Sequence, residues 1–463
     1  MPYYRRHSDR FRDERWSSET IFVMAVSGAA IGLNNFWQFP YLVTQNGGSA
    51  FLLAYVIALL LIGLPLLMTE MMIGKRGEYS PIGAINRLVV EDAGRAPWKI
   101  IGWIVTITGF LVFSYLSVVG SWMLAYALRA AAGSFADLSM DGVVGLFFTL
   151  AGDPEKQLFW HAGFVATATF FMFRGISEGI EPLVRWGLPL VIGLLCFATF
   201  YAAIAGEIQQ VAAALFKFDY ERLTIKSVLI AMSHVMFSLG LGVGAVMAYG
   251  QYMKTRVSIG RAAVLVIAID SGVGLIASVF VLSVLFASGQ EPVSGPLLLF
   301  QGIPYSLARM PGGMIFGPLF YLVLALAALL SAVALMEPAV GWLRERHGIT
   351  RPQAALYTGM AGWLLGVVFI LSFSYWSFSF TLFGLEKKLG FFDVIQTLTA
   401  NVLLPVGAIL AALFAGWVLN RVLTKDELGL SGAVIFPLWL RMVRVVVPVL
   451  LLIVIFTLPG LYK

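Results

Sequence analysis

Long apolar stretches alternate with short polar ones along almost the whole chain. Each stretch reaches or approaches the length of about 20 residues that an α-helix needs to cross a bilayer. The stretches are continuous and too long for the short alternating strands of a membrane β-barrel. The pattern therefore predicts an all-α integral membrane protein with about 11 transmembrane helices, at residues 20–43, 49–73, 99–128, 158–175, 182–205, 227–251, 258–288, 314–343, 353–373, 392–420 and 433–459.

Two of these stretches contain residues that interrupt a helix. Residues 27–40 include two glycines, two adjacent asparagines and a proline, and residues 237–244 include three glycines at every second position. Backbone that leaves the helix inside a bilayer loses hydrogen bonds at a cost of several kcal/mol, so it persists only where it lines a cavity or binds something. Two such segments at corresponding places in two halves of a membrane protein indicate the binding site of a carrier.

Composition and charge agree with a membrane protein. Of the 463 residues, 59% are hydrophobic and 12% are charged, whereas soluble domains carry roughly a quarter charged residues. Basic residues are concentrated in the N-terminal tail and in alternate loops, which predicts a multi-pass protein of the cell inner (plasma) membrane with a cytoplasmic N-terminus. The net charge of +6 follows from this bias, so a lipid bilayer and no nucleic acid is expected as partner. The stretches 130–157 and 289–312 are expected to be loops.

Many separate short motifs stand in a fixed order along nearly the whole chain. They are Trp16, Gly32-Leu33, Asn35-Phe36, Phe39-Pro40, Asn46-Gly47-Gly48, Gly63-Leu64-Pro65, Glu70, Arg174-Gly175-Ile176-Ser177, Gly179-Ile180-Glu181, Ser238-Leu239, Gly242, Gly244 and Glu337-Pro338. In these motifs the chain resembles the neurotransmitter:sodium symporters, in their bacterial branch. The resemblance implies a LeuT-type fold, with two inverted five-helix repeats and broken helices 1 and 6. The expected organisation is a cytoplasmic tail at 1–19, the first repeat at 20–205, the second repeat at 227–420 and an eleventh helix at 433–459.

The resemblance also implies a function. A member of this family is expected to be a secondary active transporter, which couples the uptake of a small amino acid or amine-type substrate to sodium by alternating access. No organic cofactor is expected, and a homodimer is left open. The substrate-binding residues that the resemblance implies are Gly32, Leu33, Asn34, Val112, Leu116, Phe237, Gly240, Val243, Ser331 and Leu335. Most of this wall is apolar and suits a small ligand with an apolar body and one cationic end.

Two sodium sites are implied, and each departs from the family pattern. The first would use the carbonyl of Ala30, the side chains of Asn35 and Ser238, and Asp270, where the family usually has asparagine. In the family the substrate's carboxylate brings the negative charge to this site. Because Asp270 builds that charge in, we hypothesise that the substrate need not carry a carboxylate.

The second sodium site is doubtful. It would use the carbonyls of Gly28, Ile31 and Ala327 with the hydroxyl of Ser331. Leu330 stands where a threonine or an acid is expected, and a leucine cannot coordinate sodium. The sequence therefore predicts a second site that is weakened or absent.

Gate residues follow from the same resemblance. On the outer side, Gln38 and Gln396 replace a charged pair, Tyr115 lies beside them, and the loss of both charges together leaves neither one unpaired. The residues expected for an inner latch are Arg12, Trp16, Tyr252 and Glu345. Glu70 is expected to hold the unwound part of the sixth helix.

Other functions remain as alternatives. Asp270 or His234 could carry a proton in place of part of the sodium coupling, since histidine titrates closest to neutral pH. The damaged second sodium site also keeps open a sensor relative that does not transport. An enzyme is not expected, because no His/Cys metal spacing, Gly-rich phosphate loop or nucleophile elbow is present. A channel is disfavoured because rings of repeated filter residues are missing.

Overall fold

A computed structural model describes residues 14–93, 95–254, 257–382, 385–387, 390–430 and 434–461. The first half of this described chain is entirely helical apart from short connections. Its helices are α1 Glu19–Ala30, α2 Asn34–Gln45, α3 Ser49–Gly77, α4 Pro81–Leu88, α5 Ala96–Ala131, α6 Met140–Ala151, α7 Pro154–Phe173, α8 Ile176–Ala205 and α9 Ile208–Phe216.

The second half is also helical, with one small hairpin. Its elements are α10 Ile225–Ser238, α11 Ala245–Gly250, α12 Ile259–Phe286, α13 Ile303–Leu307, α14 Gly313–His347, α15 Arg351–Ser372, β1 Phe380–Leu382, β2 Leu385–Lys387, α16 Gly390–Val418, α17 Arg421–Leu428 and α18 Ile435–Thr457. The strands pair antiparallel, with Phe380 opposite Lys387. Helices α3, α5, α8, α16 and α18 each contain at least one π-helical or 3₁₀ turn within an otherwise continuous helix.

Eight of the described helices are long and apolar enough to cross a membrane, namely α3, α5, α8, α12, α14, α15, α16 and α18. Helices α1 and α2 meet at 65° and form a ninth span if they are taken as one broken helix. The predicted spans at 158–175 and 227–251 coincide with α7 and with the pair α10 and α11, which do not meet the same criteria of length and hydropathy. The all-α membrane fold is confirmed, and the count of eleven stays a prediction.

Two expectations about the connections were wrong. The stretch 130–157 contains α6, and the stretch 289–312 contains α13 with a π-helical turn before it at Leu298–Gly302. Helix α6 begins at an N-cap, since the Ser139 hydroxyl accepts a hydrogen bond from the backbone N–H of Gly142 at 3.2 Å. Such short helices bury only a few residues each, so their hydrophobic signal is weaker than that of a span.

Helix α14 lies at the centre of the fold. In its most apolar segment 83% of the residues are buried, and the helix packs against α5, α8, α1 and α11. Helix α12 packs against both α1 and α2. The two interrupted segments of the chain are therefore held between continuous helices, which support the unwound backbone from behind.

Candidate functional site

The first broken span consists of α1 and α2 with residues 31–33 between them. The backbone N–H of Ile31 still donates to the carbonyl of Ser27 at 2.8 Å, and regular helix resumes at Asn34. The Asn35 side chain supports the break, because its Oδ1 accepts from the backbone N–H of Gly32 at 3.2 Å. Loss of helix here leaves backbone groups free to face a ligand, as the sequence predicted.

The second broken span consists of α10 and α11 with residues 239–244 between them. Gly240, Gly242 and Gly244 have φ angles of 59°, 80° and 75°, a region that other residues adopt only at a cost in strain. A Cβ atom at Gly242 would collide with the backbone carbonyl of Leu404. The three glycines therefore allow the chain to leave the helix and α16 to approach it closely.

Glu70 on α3 holds this second break. The side chain is fully buried, and its Oε1 accepts a hydrogen bond from the backbone N–H of Gly242 at 2.7 Å. Its Oε2 has no partner among the described residues. A buried carboxylate at this place satisfies an amide that the broken helix leaves without an intrahelical acceptor.

Replacing Glu70 with alanine is expected to lower the stability of the protein by about 1–3 kcal/mol, because the Gly242 amide would be left buried without an acceptor. Glu70→Gln keeps an acceptor and is expected to lose less. The melting temperature in detergent measures this, with Glu178→Ala as control, since the Glu178 side chain is 75% exposed. A melting temperature of Glu70→Ala equal to that of the control would show that Glu70 does not hold the break.

A cavity of about 600 Å³ lies between the two broken spans. All of the residues predicted to bind substrate line it, namely Gly32, Leu33, Asn34, Val112, Leu116, Phe237, Gly240, Val243, Ser331 and Leu335. Gln38, Tyr115 and Gln396, predicted for the outer gate, line the same cavity. It also reaches residues 294–296 in the connection before α13, where the Ser294 hydroxyl donates to Gln38 Oε1 at 3.4 Å.

Asp270 on α12 lies behind the first break and joins the two broken spans. Its carboxylate is fully buried and does not line the cavity. Oδ1 accepts from Asn35 Nδ2 at 2.9 Å, and Oδ2 accepts from the Ser238 hydroxyl at 2.6 Å. The structure thus brings together three of the residues predicted for the first sodium site, and Ala30 of the same set lies at the end of α1. Carboxylate, amide and hydroxyl oxygens are suitable ligands for a hard cation.

The residues predicted for the second sodium site offer fewer free oxygens. The Ser331 hydroxyl donates to the carbonyl of Ile31 at 3.1 Å and lies 3.5 Å from the carbonyl of Gly28. The Leu330 side chain packs beside Gly28, within 3.6 Å of where a Cβ atom would stand. Ala327 is buried within regular helix in α14, four residues before Ser331. The apolar Leu330 therefore occupies a position where coordination would need an oxygen.

The side of the cavity opposite residues 294–296, which we call the N-terminal side, is closed by the segment before α1. Trp16 is buried; its indole Nε1 donates to the carbonyl of Tyr249 at 2.9 Å, and its backbone N–H donates to the carbonyl of Tyr252 at 3.1 Å. The Tyr252 hydroxyl donates to Glu337 Oε1 at 2.6 Å. Trp16 and Tyr252 thus lie where the inner latch was expected.

Charged residues complete this closure, and sequence reasoning missed most of them. Both carboxylate oxygens of Glu14 accept from the guanidinium of Arg344 at 3.0 Å, and Oε2 also accepts from Arg351 at 3.1 Å. Arg351 is almost fully buried and also forms a bidentate pair with Glu337. We call Glu14, Glu337, Arg344 and Arg351 the inner ion cluster. The only signal for it in the sequence was the retained Glu337-Pro338 motif, which does not specify a partner.

Glu345, predicted for the inner latch, has its described hydrogen-bond partners at the start of another helix. Its carboxylate accepts from the backbone N–H of Ser80 at 2.5 Å and from the Ser80 hydroxyl at 2.6 Å. Glu345 therefore ties the end of α14 to the start of α4. Arg12, the other predicted partner, lies outside the described residues.

Comparisons with known proteins agree with this architecture. The model of the sodium:neurotransmitter symporter family matches residues 13–137 and 159–460. The chain belongs to the sodium:neurotransmitter symporter family. An uncharacterized sodium-dependent transporter of Bacillus subtilis is 31% identical over 450 residues, which are 96% of this chain and 98% of that protein.

Two further proteins similar to this symporter-family chain have a ligand or substrate in their own names. The chain is similar to the protein in the crystal structure of MhsT in complex with L-phenylalanine. Their sequences are 32% identical, and the two structures match with a TM-score of 0.86 over 96% of this chain and 99% of that chain. A sodium-dependent dopamine transporter of Bos taurus is 25% identical over 402 residues, which are 74% of this chain and 56% of that protein. Membership of the family makes this chain a sodium-dependent membrane transporter with a LeuT-type fold.

One further titratable group lies beside the symporter's cavity. His234, one turn before the second break, lines the cavity and stacks on Phe39 with ring centroids 5.3 Å apart. Its Nε2 is buried and has no partner among the described residues. An unpaired buried imidazole nitrogen is a group that a proton or a ligand could engage.

Proposed function

We propose that this chain is a sodium-coupled symporter for a small organic cargo that has a primary amine and an apolar body. The cargo would bind in the cavity between the two broken spans. One observation carries the proposal: the Asn35, Ser238 and Asp270 side chains converge on one buried point, and they come from three different helices, α2, α10 and α12. Sodium bound there would be held by both broken spans, so ion binding and the arrangement of the cavity would be coupled.

The cargo class follows from the cavity wall. Val112, Leu116, Val243 and Leu335 present apolar surface, while α1 and α10 direct their carbonyl-bearing C-terminal ends towards the region of the breaks. Such ends carry partial negative charge and favour a cation such as an ammonium group. The phenylalanine of the MhsT complex and the dopamine of the bovine transporter's name share an amine and an aromatic ring. We infer that an amine end and an apolar body are what this cavity selects.

We further propose that a single sodium ion is coupled. The support is the contrast between the two predicted sites, because Asp270 adds a charge to the first while Leu330 packs against the second.

With the inner ion cluster formed and the cavity extending to residues 294–296, the molecule is in a state closed towards the N-terminus. We assign that side to the cytoplasm, in accordance with the basic residues of the tail.

Uptake into proteoliposomes tests the proposal. A sodium gradient directed inward is expected to drive accumulation of a radiolabelled amino acid or amine above its external concentration, and a protonophore is expected to leave this unchanged. Accumulation driven only by a pH gradient would instead support proton coupling, for which Asp270 and His234 are the candidates. Binding without accumulation under either gradient would contradict transport and support a sensor.

A further inference from the structure

Asn34 stands at the first residue of α2 and has its side-chain orientation set by a neighbour. Its Oδ1 accepts a hydrogen bond from the indole Nε1 of Trp37 at 3.0 Å. An indole N–H can only donate, so the atom it meets must be the amide oxygen and not the amide nitrogen. Asn34 therefore keeps two N–H donors on Nδ2, which has no partner among the described residues, and the residue lines the cavity.

Backbone donors lie beside this amide. Helix α2 has no side-chain N-cap, and the backbone N–H groups of Leu33 and Asn34 have no acceptor among the described residues. The neighbouring N–H of Gly32 is already taken by Asn35 Oδ1. Leu33 and Asn34 both line the cavity, so this end of it offers hydrogen-bond donors. A ligand group that accepts hydrogen bonds is the natural complement.

These donors carry no full charge, and no described Lys, Arg, Asp or Glu lines the cavity. Under the proposed function, the charge of sodium at the first site is balanced by Asp270 without any help from the cargo. A cargo carboxylate would therefore meet hydrogen-bond donors but no net positive charge from the ion site. An acceptor oxygen on the cargo therefore increases its affinity, and a negative charge on that oxygen increases the affinity little further.

We propose that Asn34, oriented by Trp37, is a specificity-determining residue that donates a hydrogen bond to an acceptor oxygen next to the amine of the cargo, and that this oxygen need not be charged. This inference rests on the proposed function and narrows its cargo class. Amines that carry a carboxylate or a carboxamide on the adjacent carbon are substrates, and the matching amines without either group are not. A site built to hydrogen-bond a ligand oxygen rejects the analogue that lacks it, because the buried donors are then left unpaired.

Two matched sets of three ligands test the inference on the wild-type protein. They are L-leucine, L-leucinamide and 3-methylbutylamine, and L-phenylalanine, L-phenylalaninamide and 2-phenylethylamine. Within a set, the carboxamide and the plain amine carry the same charge and differ by the acceptor, whereas the acid and the carboxamide differ by the charge. Thermal-shift titrations in sodium are expected to give dissociation constants for acid and carboxamide within about tenfold of each other, and at least about tenfold tighter than the amine.

Variants then assign the effect to Asn34. Asn34→Gly is expected to reduce the advantage of the carboxamide over the amine to about threefold, since the side-chain donor is gone and only the backbone N–H groups remain. Trp37→Phe keeps the ring but frees the Asn34 amide, and is expected to reduce the advantage partly. Trp186→Phe is the matched control, because Trp186 is 75% exposed on α8 and its replacement is expected to leave the ratio unchanged.

The outcomes separate the two proposals. Equal affinity for the amine and the carboxamide, or binding of the acid alone, overturns the role of Asn34 while leaving sodium-coupled transport intact. If none of the six ligands binds in sodium, the cargo class of the proposed function is wrong and the inference falls with it. If the Asn34 and Trp37 variants do not fold, the comparison of the three ligands on the wild-type protein still decides whether the acceptor is required.

Discussion

Asp270→Asn is expected to lower the apparent sodium affinity by at least about a hundredfold when the cargo carries no carboxylate. The substitution keeps the shape of the side chain and leaves one oxygen and one nitrogen to meet Asn35 and Ser238. Both of these residues donate hydrogen bonds to the Asp270 carboxylate in the wild-type protein. It removes the negative charge that would face the ion in a fully buried place. A buried cation that loses its counter-charge is destabilised by about 3–5 kcal/mol.

The cargo's own carboxylate is expected to restore part of this loss. In Asp270→Asn, an amino acid would again bring a negative charge to the region, whereas its carboxamide would not. The sodium dependence of uptake, measured with L-leucine and with L-leucinamide, distinguishes the two. Asp141→Asn is the control, since Asp141 is exposed at the start of α6, away from both breaks. Unchanged sodium dependence in Asp270→Asn with both ligands would remove Asp270 from the ion site.

Glu14→Gln is expected to open the closure on the N-terminal side. Glu14 is the acid of the tail that meets both Arg344 and Arg351, and these two arginines are 8% and 6% exposed. Without its charge, Arg344 and Arg351 lose the ion-pair partner that they share, while Arg351 keeps its pair with Glu337. Losing one partner of a buried ion pair costs about 3–5 kcal/mol, and here the cost falls on the closed state alone.

Accessibility of a single cysteine measures this opening. In a Cys196→Ser background, Ala248→Cys places a thiol on α11 at a fully buried position, next to Tyr249, whose carbonyl accepts from Trp16. A hydrophilic maleimide is expected to label it at least about tenfold faster in Glu14→Gln than in the parent. Glu91→Gln is the control, because Glu91 pairs with Arg87 at the exposed end of α4. Equal labelling rates in all three proteins would show that Glu14 does not hold the closed state.

The positions of the breaks could be predicted from sequence because their causes are local. Alternating glycines at 240, 242 and 244 adopt the left-handed conformation that only glycine tolerates easily, and the Asn-rich segment at 34–35 begins the second half of the first broken span. Once these segments were placed, the residues facing the cavity followed from the resemblance, and each of those predicted for the substrate lines it.

Partners that are distant along the chain could not be predicted. Glu14 and Arg351 are separated by more than three hundred residues, and both lie in segments where a solvated charge is the ordinary expectation. Glu345 looked equally suitable for the latch, but its place on the turn of α14 that faces α4 directs it to Ser80. The choice between such acids depends on which helix face meets which neighbour, and the hydrophobic pattern of α14 is apolar on all sides.

The orientation of Asn34 was missed for a similar reason. The sequence predicted Asn34 among the substrate-binding residues. Trp37 lies three residues later on the same helix face, but only the Trp37 rotamer decides that the indole N–H meets Asn34 Oδ1. Side chains three residues apart on a helix can meet without being required to do so.

Equilibrium binding of ²²Na⁺ to the purified wild-type protein, with no cargo present, tests the central proposal most directly. With Asp270 providing the counter-charge, we expect saturable binding of one sodium per chain before any amino acid or amine is added. Sodium binding that appears only after a carboxylate-bearing cargo is supplied would contradict a built-in counter-charge at the breaks.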